Sequence, residues 1–173
     1  MMSNILKHAF LTAVFGLGLA TSAQAWTDQI DPKNDINTRC KFEPEAQCTD
    51  AIRVGAQIEG VDMSYSSMPK MRLDGANMKR INLQGSNMEI INMKGADLTL
   101  ANLSFSQLHA ANLQNANLML SNMTKALLVD ADLRGANLQG ANIQGAVFFQ
   151  ANLSNATWVD GRVCAEGSIG ECK

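Results

Sequence analysis

Few residues in this chain have the type and spacing for chemistry. His109 is one of only two histidines, and the other, His8, lies near the N-terminus. Glu89 stands twenty positions before His109. A chain that stacks on itself every twenty residues would bring the two together as base and orienting carboxylate. No nucleophile accompanies them, so an exposed surface histidine is expected. Gly135, Gly140 and Gly145 echo the spacing of a phosphate-cradling loop, but no Lys-Ser or Lys-Thr pair follows. Asn102-Leu103-Ser104, Asn122-Met123-Thr124, Asn152-Leu153-Ser154 and Asn155-Ala156-Thr157 match a glycosylation sequon, yet the repeat described below generates that pattern by itself. Four cysteines, at 40, 48, 164 and 172, form two pairs eight positions apart. A four-cysteine zinc site needs tighter spacing. The expectation is therefore no catalytic residue, no metal and no cofactor.

The N-terminal stretch suggests where the chain works. Lys7 precedes an apolar run from Ala9 to Ala20, and Ala23-Gln24-Ala25 supplies a small-x-small pattern before Trp26. This is the plan of a secretion signal cleaved after Ala25. The apolar run is too short to span ~30 Å of hydrocarbon. Residues 1–25 are accordingly expected to be removed, leaving no membrane segment and a periplasmic location. Loss of Lys7 leaves 13 basic and 16 acidic residues, a net charge of −3. That balance describes neither a nucleic-acid-binding surface nor a strongly acidic one. In an exported protein, an even number of cysteines points to disulfides.

The elements that hold these residues are set by a period of five. Every fifth residue from Ile58 to Val163 is large and apolar, 22 positions without a slip of phase. Two residues earlier runs a small series, Ala at 13 of 22 positions and Ser at four more, namely 66, 86, 106 and 121. Between them lies a polar series, Asn or Asp at 14 of 22. On an α-helix five residues advance ~500°, which would smear the large series around every face. On a flat strand the same series would alternate sides. A chain that turns a corner every five residues keeps the large and small residues inside and the rest outside. Aromatic content of only 5% suits such a core of Leu, Met, Ala and Ile. If the repeat region is a rod, its ends are too far apart for cross-pairing, because disulfide Cα atoms lie within ~7 Å. The expected pairs are then Cys40–Cys48 and Cys164–Cys172.

The unit Ala136-Asn137-Leu138-Gln139-Gly140 and its 22 phased copies resemble the pentapeptide-repeat family over residues 56–163. That resemblance implies an all-β fold, a right-handed quadrilateral β-helix with four units per turn and about 5.5 coils. At ~4.8 Å between strands the rod would be roughly 26 Å long. The tail from Trp158 to Cys172 looks like the terminus of exported bacterial members. The expected organisation is a signal peptide at 1–25, an N-terminal cap at 26–55 with a short helical turn near Cys48–Val54, the solenoid at 56–163, and a C-terminal cap at 164–173. Four members of the small series are large: Val61, Met71, Ile81 and Ile91. They predict a widened or distorted first pair of coils, with the neighbouring methionines adapting to the space.

Stacking by twenty also sorts the outer surface. Asp62, Asn82, Asn102, Asn122, Asn142 and Arg162 fall in one column, a polar ladder that would bond along the stack. An ice-matching face would call for a threonine ladder, and outward Thr are only Thr99, Thr124 and Thr157. Leu127, Val129, Val147 and Phe149 form one outward apolar group, and Leu100, Met119 and Leu120 another. Such clusters mark partner or self-association surfaces. The expected function is a non-enzymatic exported scaffold with an unknown protein partner or self-association, binding neither nucleic acid nor membrane. A carbohydrate-binding or hydrolytic β-helix is the alternative. A DNA-mimicking, gyrase-binding role, known in the family, calls for a cytoplasmic and strongly acidic chain.

Overall fold

The computed structural model describes residue 37 and residues 39–173. The stretch 1–25 expected to be a signal peptide, with Ala23, Ala25 and the following Trp26, lies outside the described residues. No helix within them is long and apolar enough to cross a membrane.

The backbone is a solenoid whose units pair at an offset of twenty residues. Single-residue parallel bridges join Gln47 to Ser67, Ile52 to Arg72, Gln57 to Asn77 and Asp62 to Asn82, and the four columns continue upward. Four five-residue units thus make one turn, with four walls, as a quadrilateral β-helix requires. The first wall carries Ser67 and Leu127, the second Arg72 and Asp132, the third Asn77 and Asn137, the fourth Asn82 and Asn122. From Ile58 to Leu138 the N–H of each large inward residue donates to the coil above, as Leu118 does to the Asn137 carbonyl at 2.7 Å. Contacts are therefore between nearest-neighbour coils, the defining economy of a solenoid.

A corner is needed every five residues, and the backbone supplies it by a turn of fixed geometry. The carbonyl of each large residue accepts from the N–H three residues on, as Leu113 does from Ala116 at 3.0 Å. The residue before that donor has positive φ at every fifth position from Glu45 to Asn155. This is the left-handed third residue of a type II turn, which glycine fills without strain. Glycine occupies many of these corners, but Ile90 sits there at φ 58°. A β-branched side chain in that region is held against its preference. Ile90→Gly is expected to raise stability by up to ~1 kcal/mol, the relief of strain less the added chain entropy of glycine. Urea denaturation of the purified variant measures it.

The polar series is explained by the same turn. Asn and Asp side-chain oxygens accept the N–H two residues on, as in Asn137 to Gln139 at 3.0 Å and Asn142 to Gln144 at 3.1 Å. Such Asx turns fix the entry to each corner. Inside, every large residue from Ile58 to Leu138 is fully buried, and the small series packs between them. Met71, Ile81 and Ile91 are also fully buried. The ladder bonds accepted by these three and Val61 stay at 2.9 Å, as from Asn82 to Val61 and Asn92 to Met71, while the turn bonds donated by Val61 and Ile91 lengthen to 3.4 and 3.3 Å. The ladder thus runs through the first coils at the same bond length as elsewhere.

Three boundaries differ from expectation. The coil begins at Gln47, within the stretch 26–55 expected to be a cap, and Cys48 takes an inward position. Residues 48–54 form a turn and a bridge of that coil, not a helical turn. The hydrophobic period fails to reveal this because Arg53 occupies the next inward site. Its guanidinium is satisfied there by the carbonyls of Ile52 at 2.9 Å and Asn37 at 3.3 Å. At the other end, Val163 is not inward but 64% exposed. The chain reverses at Gly161, whose φ is 89°, and Val163 pairs antiparallel with Thr157. Ile169 then pairs antiparallel with Asn152.

Both cysteine pairs sit at disulfide distance, with Cα atoms 4.7 Å apart for Cys40–Cys48 and 4.9 Å for Cys164–Cys172. One pair lies at each end of the rod.

Candidate functional site

Among the described residues the interior is filled by the large and small series, and the polar and corner positions face outward. Among the described residues no cluster of His, Cys, Asp and Glu has metal-holding geometry. Glu89 and His109 stack in one column, but no hydrogen bond joins their side chains among the described residues. Ser66, Ser86 and Ser106 face inward, where their hydroxyls bond backbone carbonyls: Ser86 to Met63 at 2.8 Å and Ser106 to Leu103 at 2.7 Å. They replace alanine at the cost of one satisfied polar group each and are not nucleophiles.

The fourth wall forms the expected amide ladder over its lower part. Asn82 donates to Asp62 at 2.9 Å, Asn102 to Asn82 at 3.0 Å, and Asn122 to Asn102 at 3.3 Å. The donors all point down the rod, so the chain of amides ends on a carboxylate. The Ser64 N–H, with the Ser64 hydroxyl and the Asn82 amide, holds Asp62 below the usual carboxylate range. Arg162, expected to crown this column, instead pairs with Asp160 at 3.3 Å because the chain has already reversed. Other charges also pair locally: Arg134 with Asp132, Lys79 with Asp97 at 3.3 Å, and Arg80 with Glu59. The Arg134 side chain is the main influence lowering the Asp132 carboxyl. Acids beside bases in this way do not form an acidic stripe.

The apolar groups fall on the surface as follows. Leu127 bridges to Val147 on the first wall, and both Leu127 and Val129 are half-buried. Val147 is 39% and Phe149 63% exposed at the C-terminal end of that wall. Leu100 and Leu120, 51% and 53% exposed, stand one coil apart at the corner between the third and fourth walls, with Met119 half-buried beside them. Both are in the left-handed region, at φ 60° and 58°. Spacing alone could not reveal a further feature of the corners. Large corner side chains lean over the residue twenty positions on, and that residue is often glycine. A Cβ on Gly85 would lie 2.7 Å from the Tyr65 ring, and one on Gly140 2.7 Å from Leu120 Cδ2. The signal in the sequence is a large residue followed by glycine at a distance of twenty. Phe105, in the Tyr65 column, has Lys125 Nζ 5.3 Å from its ring centroid, a cation–π contact.

The family model for pentapeptide repeats matches in eight copies, at residues 76–115, 91–124 and 116–155. Residues 76–155 are pentapeptide repeats. Several solved pentapeptide-repeat structures are similar to the chain. One is a protein of the Arabidopsis thaliana thylakoid lumen, at 22% identity over 68% of this chain and 83% of that one, TM-score 0.47. Another is HetL from the cyanobacterium Nostoc sp. strain PCC 7120, a protein involved in heterocyst differentiation regulation, at 28% identity over 69% of this chain and 56% of that one, TM-score 0.36. A third is QnrB1, a plasmid-mediated fluoroquinolone resistance protein, at 15% identity over 71% and 76% of the two chains, TM-score 0.43. No curated protein matches the sequence. The pentapeptide repeats matched by the family model stop at 155, before the reversal at Gly161 that builds the tail.

Proposed function

We propose that the chain is an exported, non-enzymatic scaffold whose rigid walls present apolar side chains to a protein partner in the periplasm. The observation that carries this reading is the pair Leu100 and Leu120. Each is a large apolar residue held at a corner where its backbone pays left-handed strain of ~1–2 kcal/mol and where glycine fits freely. Strain kept to display an apolar surface is a sign of use rather than of folding. The secretion signal at 1–25 and the two cysteine pairs at disulfide distance support an oxidising compartment.

The test compares wild type with Leu100→Asp/Leu120→Asp in crosslinking and pull-down from a periplasmic extract. Binding of a specific protein is expected to be lost in the variant while its circular dichroism is unchanged. Equal capture by both forms, or recovery of the native protein in the cytoplasm with residue 1 retained, would sink the reading.

One observation favours a second reading, glycan binding. Tyr65 and Phe105 are exposed aromatics in one corner column, about 9.6 Å apart by two strand spacings, with Gly85 between them. Loss of polysaccharide retention on affinity gels in Tyr65→Ala/Phe105→Ala is its expected result. A DNA-mimicking role has no comparable support, since Glu59, Asp97 and Asp132 pair with neighbouring bases.

A further inference from the structure

The fourth wall carries fewer charges than any of the other three. Its units are 61–65, 81–85, 101–105, 121–125 and 141–145, and only Asp62 at the foot and Lys125 at a corner are charged. The amides of Asn82, Asn102 and Asn122 run along its middle. An amide nitrogen has two protons, and those of Asn82 and Asn122 spend one each on the ladder. The second proton of each meets no partner among the described residues. The wall thus keeps neutral donors for an acceptor from outside.

Two aromatic rings stand along one edge of this wall. Tyr65 and Phe105 occupy its corner two coils apart, both more than half exposed and both left-handed, at φ 58° and 60°. Glycine takes the same corner at Gly85 and Gly145, so the turn itself does not ask for a ring. Each ring is held in place. Gln84 Nε2 donates to the Tyr65 hydroxyl oxygen at 3.2 Å, and Gln84 Oε1 lies 3.5 Å from Asn102 Nδ2 of the ladder. A Cβ on Gly85 would lie 2.7 Å from both Cδ1 and Cε1 of Tyr65 but 3.7 Å from Cγ. The ring therefore rests one edge on the glycine and turns its faces aside. Lys125 Nζ over the Phe105 ring fixes the second. Exposed rings that are already held lose little freedom when a ligand settles on them.

We propose that this edge binds an unbranched, β-1,4-linked glycan lying along the rod, with sugars stacked on Tyr65 and Phe105 and their hydroxyls bonded to the amides beside the rings. The proposal rests on the glycan reading of these two rings and extends it to a linkage, a direction and a polar wall. A sugar offers an apolar C–H face, which the negative face of an aromatic ring attracts, and a rim of hydroxyls that neutral amides bond. A neutral glycan asks for no opposite charge, and the wall between Tyr65 and Phe105 offers none. A β-1,4-linked chain is straight and presents the same face at every second sugar. That repeat is close to two strand spacings, ~9.6 Å, the step from Tyr65 to Phe105. An α-1,4-linked chain coils away and meets one ring only. Gln84, already bonded to the Tyr65 hydroxyl, is the amide placed to meet the hydroxyls of a sugar on that ring.

The oxidised mature protein is titrated calorimetrically with cellohexaose, with the N-acetylglucosamine hexamer of chitin and with maltohexaose. At least one β-1,4-linked hexamer is expected to bind, and α-linked maltohexaose much more weakly. Tyr65→Gly/Phe105→Gly is expected to bind the better hexamer at least about tenfold more weakly. Its folding is safe, because glycine already fills this corner at 85 and 145. Gln84→Leu, at a position where other units carry Met119 and Val129, is expected to lose part of the affinity with unchanged circular dichroism. Leu100→Asp/Leu120→Asp is expected to bind as wild type does, which keeps this edge apart from the protein-partner corner. Binding that survives the glycine substitutions overturns the proposal, and full binding by Gln84→Leu overturns the part given to the wall. Maltohexaose that binds as tightly as the β-linked hexamers, and is lost in the glycine variant, overturns the linkage while the glycan reading of the rings stands. No binding of any hexamer ends both.

Discussion

Leu118→Ala is expected to destabilise the protein by about 2–5 kcal/mol, whereas Val163→Ala should change stability by no more than ~0.5 kcal/mol. In the sequence the two positions are equivalent members of one phased series. In the fold Leu118 is fully buried at mid-rod, with a coil above and below, and Val163 lies outside on the reversed tail. Removing the Leu118 side chain leaves a cavity that the surrounding coils cannot collapse into, since their backbones are tied to each other around it, as at Leu98 to Asn117 at 2.7 Å and Asn137 to Ala116 at 3.0 Å. Nearest-neighbour coupling should let the damage split the rod into two shorter stacks, each with new open edges. Guanidinium denaturation of the two variants measures the difference. Equal losses would mean that the last turn continues the wall.

The second large effect concerns the tail. Cys164→Ser/Cys172→Ser is expected to cost roughly 2–3 kcal/mol by the chain-entropy model for a loop of this length. The consequence should exceed that figure in behaviour, because the tail is the cover for two walls. Freed from its brace, it exposes the N–H groups of Leu153, Asn155 and Trp158 and the carbonyls of Ala151 and Ala156. An edge opened on all four walls, beside exposed Phe149, invites uncontrolled pairing. The expected outcome is concentration-dependent aggregation on warming, measured by light scattering, while Cys40→Ser/Cys48→Ser leaves the tail's cover of two walls in place. A tail-cysteine variant that unfolds reversibly and stays dispersed would show that the hairpin holds without its brace.

How much of this was legible beforehand depended on whether a residue obeyed the period. Ile58 to Leu138 could be placed inside from spacing alone, because only a corner every five residues keeps them on one side. The polar ladder could be drawn from stacking by twenty, and Asn82, Asn102 and Asn122 make it. The cysteine pairing followed from the length of a rod. Both ends resisted, for opposite reasons. Arg53 breaks the hydrophobic series while continuing the backbone, since two carbonyls accept its guanidinium. Val163 continues the series while the backbone leaves it at Gly161. Side-chain type tracks backbone path only where coils cover each other above and below.

The candidate surfaces divide in the same way. The apolar residues at Leu100, Leu120, Val147 and Phe149 were visible in the sequence as outward positions. Their cost was not, because left-handed φ at Leu100 and Leu120 is a property of the folded corner. Sequence by itself determined the repeat, its inside and outside, and the twenty-residue stacking, all of which follow from local periodicity under steric and hydrophobic constraint. Only the tertiary structure decided how the rod ends: which walls the tail covers, which four amides (Ile143, Gly145, Phe148 and Gln150) it leaves without partners among the described residues, and that Phe148 and Trp158 pack together over the lumen. Those outcomes depend on where a non-repeating segment folds back, and no period carries that information.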